Sequence, residues 1–147
     1  MGYVQNINMK ISKIFCICAV LLLFTIAVAS AVEISDFKAP NGFDDGIAES
    51  MDKDDFSITI EKYDKEFSFS PLKSDSFSNV TIKGKFAHFT DSFHDEVGAM
   101  ELIKIGKNHQ LVKCKYKGTD SSKIPECIKY LEEFNKINNL TAENIGK

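Results

Sequence analysis

The sequence predicts an α+β domain, an antiparallel sheet of about five strands with a C-terminal helix packed on one face. Three observations carry that expectation. Phe56-Ser57-Ile58-Thr59-Ile60 alternates apolar and polar residues, the period of a half-buried strand. Ala99 to Ile105 and Gln110 to Tyr116 are two further strand-like runs, separated by the turn chemistry of Gly106-Lys107-Asn108. Ile124, Cys127, Ile128, Leu131 and Phe134 then recur at three- and four-residue spacing, which puts them on one face of a helix.

The first element in order is not part of that domain. Met9-Lys10-Ile11-Ser12-Lys13 leads into an apolar run from Ile14 to Val28, broken by Thr25, and Ala29-Ser30-Ala31 closes it. A basic start, an apolar stretch of about fifteen residues and an A-x-A site are what a secretory signal peptide needs. Residues 1–31 are therefore expected as a signal peptide and residues 32–147 as a single exported α+β domain. The rival reading is an uncleaved anchor, since Ile14 to Val32 is about nineteen residues, long enough to cross a bilayer as a helix. Cys16 and Cys18 follow Phe15 and Ile17, whereas a lipoprotein signal needs a small residue before its cysteine.

From Val32 to Asp55, Pro40-Asn41-Gly42 is turn chemistry flanked by Phe37 and Phe43, which suits a short hairpin or a lead-in segment. The strand at Phe56 to Ile60 is expected to bury Phe56, Ile58 and Ile60, with Glu66-Phe67-Ser68-Phe69 as its hairpin partner. Ser70 to Asn79, which contains Pro71, reads as loop. Val80 to Thr90 reads as a second strand region in which Gly84 marks a bulge or a close backbone approach. Val97 to Tyr116 is the clearest hairpin, with Val112, Cys114 and Tyr116 on the buried face and Leu111, Lys113 and Lys115 on the other. Gly118 to Ser122 ends the sheet, and Ser122 is expected to cap a helix running to about Asn139, with Pro125 in its first turn.

The chain has 21 acidic and 18 basic residues, every one of the latter lysine, and no tryptophan. All the acids follow Ala31, while Lys10 and Lys13 precede it, so the exported part is more acidic than the whole chain's net −3. The lack of arginine argues against nucleic acid as a partner, because phosphate recognition favours the guanidinium fork. Cys114 and Cys127 are the cysteines left after cleavage, and in an oxidising compartment two cysteines most simply form one disulfide. The expected helix brings Cys127, in its first turn, towards Cys114 on the last strand. Asn79-Val80-Thr81 and Asn139-Leu140-Thr141 are N-x-[ST] acceptors that export makes usable, giving Asn79 and Asn139 as candidate glycosylation sites.

His88, Asp91, His94, Asp95 and Glu96 form the densest polar cluster, and imidazoles with carboxylates are ligands for zinc-like ions. His88 also alternates in phase with Phe86, which would leave it on a partly buried strand face. The acids from Asp44 to Asp55 offer a second, calcium-like candidate, although they do not fit the EF-hand pattern. Apart from such a divalent metal no cofactor is expected. Catalytic motifs of the G-x-S-x-G, H-E-x-x-H and S-x-x-K types are missing from the sequence, so no catalytic residue is assigned. An exposed aromatic cluster around Phe89 and Phe93 would make a partner-binding patch.

The leader Met9-Lys10-Ile11-Ser12-Lys13, the Ala29-Ser30-Ala31 site, Asp36-Phe37-Lys38-Ala39-Pro40-Asn41-Gly42-Phe43 and the closing Leu131-Glu132-Glu133-Phe134-Asn135-Lys136-Ile137-Asn138-Asn139-Leu140 resemble the small exported proteins of methanogenic archaea. That resemblance implies export and an AT-rich host, and brings no activity or site residue with it. The functional expectation is a non-enzymatic exported or cell-surface domain that binds a protein or envelope component. A membrane would be involved only through an uncleaved N-terminal segment. The alternatives are a metal- or calcium-binding exported protein and, third, a small hydrolase.

Overall fold

The computed structural model describes residues 32–45, 49–63 and 79–146. The expected signal segment at residues 1–31, with its anchor alternative, and the expected Glu66–Phe69 hairpin partner lie outside the described residues. Val32–Lys147 forms one compact unit. Among the described residues no helix is long and apolar enough to cross a membrane.

Strands β1 (Asp44–Asp45), β2 (Ser50–Lys53), β3 (Phe56–Tyr63), β4 (Asn79–Lys83), β5 (Phe86–Asp91), β6 (Glu96–Ile105) and β7 (Asn108–Lys117) make one sheet, ordered β1-β2-β3-β7-β6-β5-β4. Every neighbouring pair is antiparallel. Helix α1 (Ile124–Asn138) packs over β6 and β7. The α+β class therefore holds, with six strands of four or more residues and a two-residue edge piece among the described residues, against an expectation of about five.

The β6–β7 hairpin is where the sequence places it, and Ile105 pairs Asn108 across the two-residue turn at Gly106, whose φ of 60° suits glycine. Gly84 is different from the expectation. It is no bulge within one strand: with φ at 65° it turns the chain between β4 and β5, and Lys83 pairs Phe86. The strand preceding β3 is also new. Asp54, at φ 52°, turns β2 into β3, so Met51 lies beside Ile58 in register.

The helix begins one step differently too. Ser122 does not cap it: Asp120 caps a 3₁₀ turn at Ser121–Lys123, its carboxylate accepting the Ser122 N–H at 3.0 Å, and that turn feeds the helix, whose own N-cap position is Lys123. Asn139, in the left-handed region at φ 53°, ends it. Cys127, Leu131 and Phe134 are fully buried against Ile58, Ala99, Ile103, Val112 and Cys114. The lead-in segment runs along the helix's other flank. Phe37 and Phe134 ring centroids are 5.4 Å apart, Lys38 exchanges two hydrogen bonds with Asn138, and the Asn41 N–H donates to Glu133.

The opposite sheet face is not the polar one that Leu111, Lys113 and Lys115 suggest. Leu111 is buried with Ala87, Phe89 and Met100 in a second apolar cluster. Gly98 makes room for it, since a Cβ there would collide with the Cys114 carbonyl and meet the Phe89 ring at 2.9 Å. The C-terminal residues then extend the sheet where β5 stops short. Ala142 bridges Ile103, the Glu143 N–H donates to the Leu102 carbonyl at 2.8 Å, and the Ile145 N–H donates to the Gly84 carbonyl at 3.0 Å.

Candidate functional site

The β5–β6 turn holds most of the residues that first suggested a metal. Asp91 is buried at the end of β5, and its Oδ1 accepts the backbone N–H groups of Phe93 at 3.0 Å and His94 at 3.1 Å. Its Oδ2 lies 2.7 Å from His94 Nδ1. Burial works to raise the Asp91 pKa, but these hydrogen bonds outweigh it and hold the carboxyl below its ordinary value. Both oxygens are thus engaged in shaping the turn. Asp95 takes φ 52° and its carbonyl accepts the Gly118 N–H at 2.7 Å, while Glu96 pairs with Lys115 at 2.9 Å.

His88 does not join them. It alternates with Ala87, Phe89 and Asp91 along β5, so it lies on the helix-bearing face while Asp91 and Glu96 lie on the other. Burial, then Lys83, lowers its pKa. Among the described residues no three His, Cys, Asp or Glu side chains gather closely enough to hold a metal ion. The Phe89–Phe93 pair is divided in the same way, with Phe89 in the core and Phe93 82% exposed at the tip of the turn, its ring edge-on to His94.

The acids of the 44–55 segment are arranged differently from a compact loop. Asp44 pairs Asp52 across β1 and β2. Asp52, Asp54 and Asp55 line an open cavity of about 360 Å³ together with Glu96, Lys115 and Lys117. The two lysines offset part of the acidic charge there.

Cys114 and Cys127 do meet between β7 and α1, but as free thiols. The expected disulfide is not formed in the structure: both side chains are fully buried and fill the core as small apolar groups. Contact with the Cys127 thiol, and then burial, push the Cys114 pKa up, which removes the thiolate that a nucleophile needs. Asn79 and Asn139 are both exposed, at the start of β4 and at the helix C-cap.

The site the sequence reading misses is Glu101. This carboxylate is fully buried on β6, facing the helix between Ala99 and Ile103. Its Oε2 accepts Asn135 Nδ2 from α1 at 2.8 Å, while Glu101 Oε1 and Asn135 Oδ1 have no donor among the described residues. Burial pushes the Glu101 pKa up to about 7, with Asn135 and Lys85 opposing and Glu132 adding to the rise. Asn135 also lines a cavity of about 310 Å³ between the end of the helix, the β4–β5 turn and the C-terminal residues. The available signal is phase, because Glu101 falls in the same row as Ala99 and Ile103, in a strand whose apolar residues point to the core.

No family model matches the chain, and no curated protein or solved structure is significantly similar to it.

Proposed function

We propose that residues 32–147 act outside the cytoplasm as a non-enzymatic binding domain whose partner is a protein or envelope component. The observation that carries the reading is the start of the compact unit at Val32, the residue after the Ala29-Ser30-Ala31 site. Binding rather than catalysis is favoured by how the polar clusters are used. Asp91 and His94 shape a turn, His109 lies 3.2 Å from Glu143 of the C-terminal segment, and the thiols are core groups. The same turn presents Phe93 to solvent on a braced hairpin, and a rigid exposed aromatic is the kind of side chain that anchors an interface.

The test is made on protein produced in its own host. An intact mass beginning near Val32, and retention on the host's envelope fraction that Phe93→Ala abolishes, are the expected results. A chain that stays in the cytoplasm, or an unretained wild type, overturns the reading. Added mass that an Asn79→Gln or Asn139→Gln substitution removes would assign glycan to that sequon, and a mass that falls in step with a Cys114–Cys127 bond would show oxidation after export.

The runner-up is a calcium-binding exported domain. Asp52, Asp54, Asp55 and Glu96 share the walls of one open cavity with Lys115 and Lys117 without gathering into a metal-holding group, so this reading requires the carboxylates to converge on the ion as it binds. A thermal midpoint that does not respond to Ca²⁺, Zn²⁺ or EDTA eliminates it.

A further inference from the structure

The two ends of the sheet are finished differently. β1, at one end, is two residues long, and the overhang of β6 past β5 is covered where Ala142 bridges Ile103 and the Glu143 N–H donates to the Leu102 carbonyl. β4, at the other end, has five residues paired to β5, and among the described residues no segment pairs with its outer side. An uncovered edge is a template for another strand, and proteins that avoid such pairing place a proline, a bulge or an inward charge there. Asn79-Val80-Thr81-Ile82-Lys83 has none of these: its register with β5 runs unbroken, and its one charge stands at the end of the strand.

Register fixes what the edge offers. The two-residue turn at Gly84-Lys85 closes on the Lys83–Phe86 pair, so Lys83, Thr81 and Asn79 direct their N–H and C=O groups at β5. Val80 and Ile82 direct theirs outward. Their side chains pack, partly buried, on the second apolar cluster. Asn79, Thr81 and Lys83 form an exposed row on the other face, with Thr81 beside His88.

We propose that this edge pairs with the same edge of a second copy of the chain, antiparallel about a two-fold axis at Thr81. Val80 then faces Ile82 of the second copy and Ile82 faces its Val80, so the outward groups of both strands close four backbone hydrogen bonds. The same register brings Val80 and Ile82 of each copy beside those of the other, and the two apolar clusters become continuous across the seam. Thr81 meets Thr81, a favourable cross-strand pair. Lys83 falls opposite the uncharged Asn79, and the two copies of Lys83 stand about 14 Å apart, beyond the Debye length of about 8 Å at physiological ionic strength. A foreign strand would have to supply this alternation, whereas a second copy carries it already. Helix α1 packs over β6 and β7, so the helices of the two copies are about 29 Å apart in the joined sheet and do not collide. A seam of five residues is smaller than a standard interface, which makes the dimer a transient one.

Sedimentation equilibrium of the protein purified from its host tests the pairing. The mean mass is expected to climb from monomer towards dimer between about 0.01 and 1 mM, and to stop there because the two-fold seam is closed. Thr81 is exposed, so Thr81→Lys and Thr81→Glu should keep the fold; each sets like charges face to face on the axis and should weaken the dimer about tenfold or more. An equal mixture of the two should pair again, since lysine then faces glutamate. Both substitutions also remove the Asn79 sequon, so glycan plays no part in the mixture. Val80→Pro, which deletes an outward N–H that β5 does not use, should weaken the dimer as well. A wild type that is still monomeric at about 1 mM, a mass that passes the dimer, a Thr81→Lys protein that pairs as well as wild type, or a mixture no better than its components would overturn the proposal. None of these results bears on retention through Phe93, which lies in the β5–β6 turn and outside the seam.

Discussion

Replacing Glu101 by glutamine should make the protein more stable above neutral pH, and the gain can be worked from the structure. The folded chain holds this carboxyl at about 7 against 4.5 for an ordinary glutamate. Below about 4.5 the group is neutral in both states and contributes nothing to the pH dependence. Between the two values the unfolded chain ionises and the folded chain does not, so stability falls as pH rises, and the loss is complete once pH passes the folded value. The gap corresponds to about 3 kcal/mol. Glutamine keeps the acceptor for Asn135 Nδ2 and adds an amide donor beside the orphaned Asn135 Oδ1. Urea unfolding of wild type and Glu101→Gln at pH 5 and pH 8 should therefore show about 1 kcal/mol in favour of the variant at pH 5 and about 3 kcal/mol at pH 8. Because every other titration is common to both proteins, a difference that is the same at both pH values would refute the argument.

Other consequences follow from the same packing. Gly98→Ala should cost about 3 kcal/mol or more, or prevent folding, because its Cβ meets the Cys114 carbonyl, the Lys115 Cα and the Phe89 ring; the urea midpoint reports it. Asp91→Ala should cost about 2 kcal/mol by removing the acceptor for Phe93 and His94. Asp91→Asn should flatten the acid limb of stability against pH. The Asp91 pKa is depressed, so its contribution is present above the ordinary 3.8 and lost as pH falls through the folded value. Reduced protein should resist a water-soluble alkylating agent at Cys114 and Cys127 until urea is added, since both thiols are fully buried; labelling at the rate of free cysteine would contradict that burial.

The parts of the fold that are legible in the sequence are those whose apolar period is carried by several residues. β6, β7 and α1 each have three or more in phase, and the turn chemistry at Gly106 agrees with the hairpin. β2 is not legible, because Met51 is the single apolar residue among Ser50, Asp52 and Lys53, and only its pairing to Ile58 makes it a strand. The second core is hidden for a related reason. Leu111 shares its row with Lys113 and Lys115, a pattern that reads as solvated, yet the first member of the row sits beside Leu102 in register and is buried. Gly84 reads equally well as a bulge or a turn, and the tie is broken by β5 returning along both β4 and β6, which no local pattern encodes. For the cysteines, topology and helix phase foretell the meeting of Cys114 and Cys127 but not the free-thiol state in which they pack.

Asp91 and Glu101 show why the conspicuous cluster and the candidate site are different places. Both are buried carboxylates in the β5–β6 region, and their pKa values move in opposite directions. Asp91 is supplied locally, by two backbone N–H groups and an imidazole within three residues, so its hydrogen-bonding capacity is consumed in making the turn. A sequence shows such local supply as a dense polar patch, and the density marks a structural role. Glu101 stands alone among apolar neighbours, with its one donor 34 residues away on the helix. It gains too little from that bond to offset burial, so its pKa is elevated, a property that clusters at functional sites. Isolation of a charged residue in phase with a core face is accordingly the better pointer in this chain, and crowding of charged residues the poorer one.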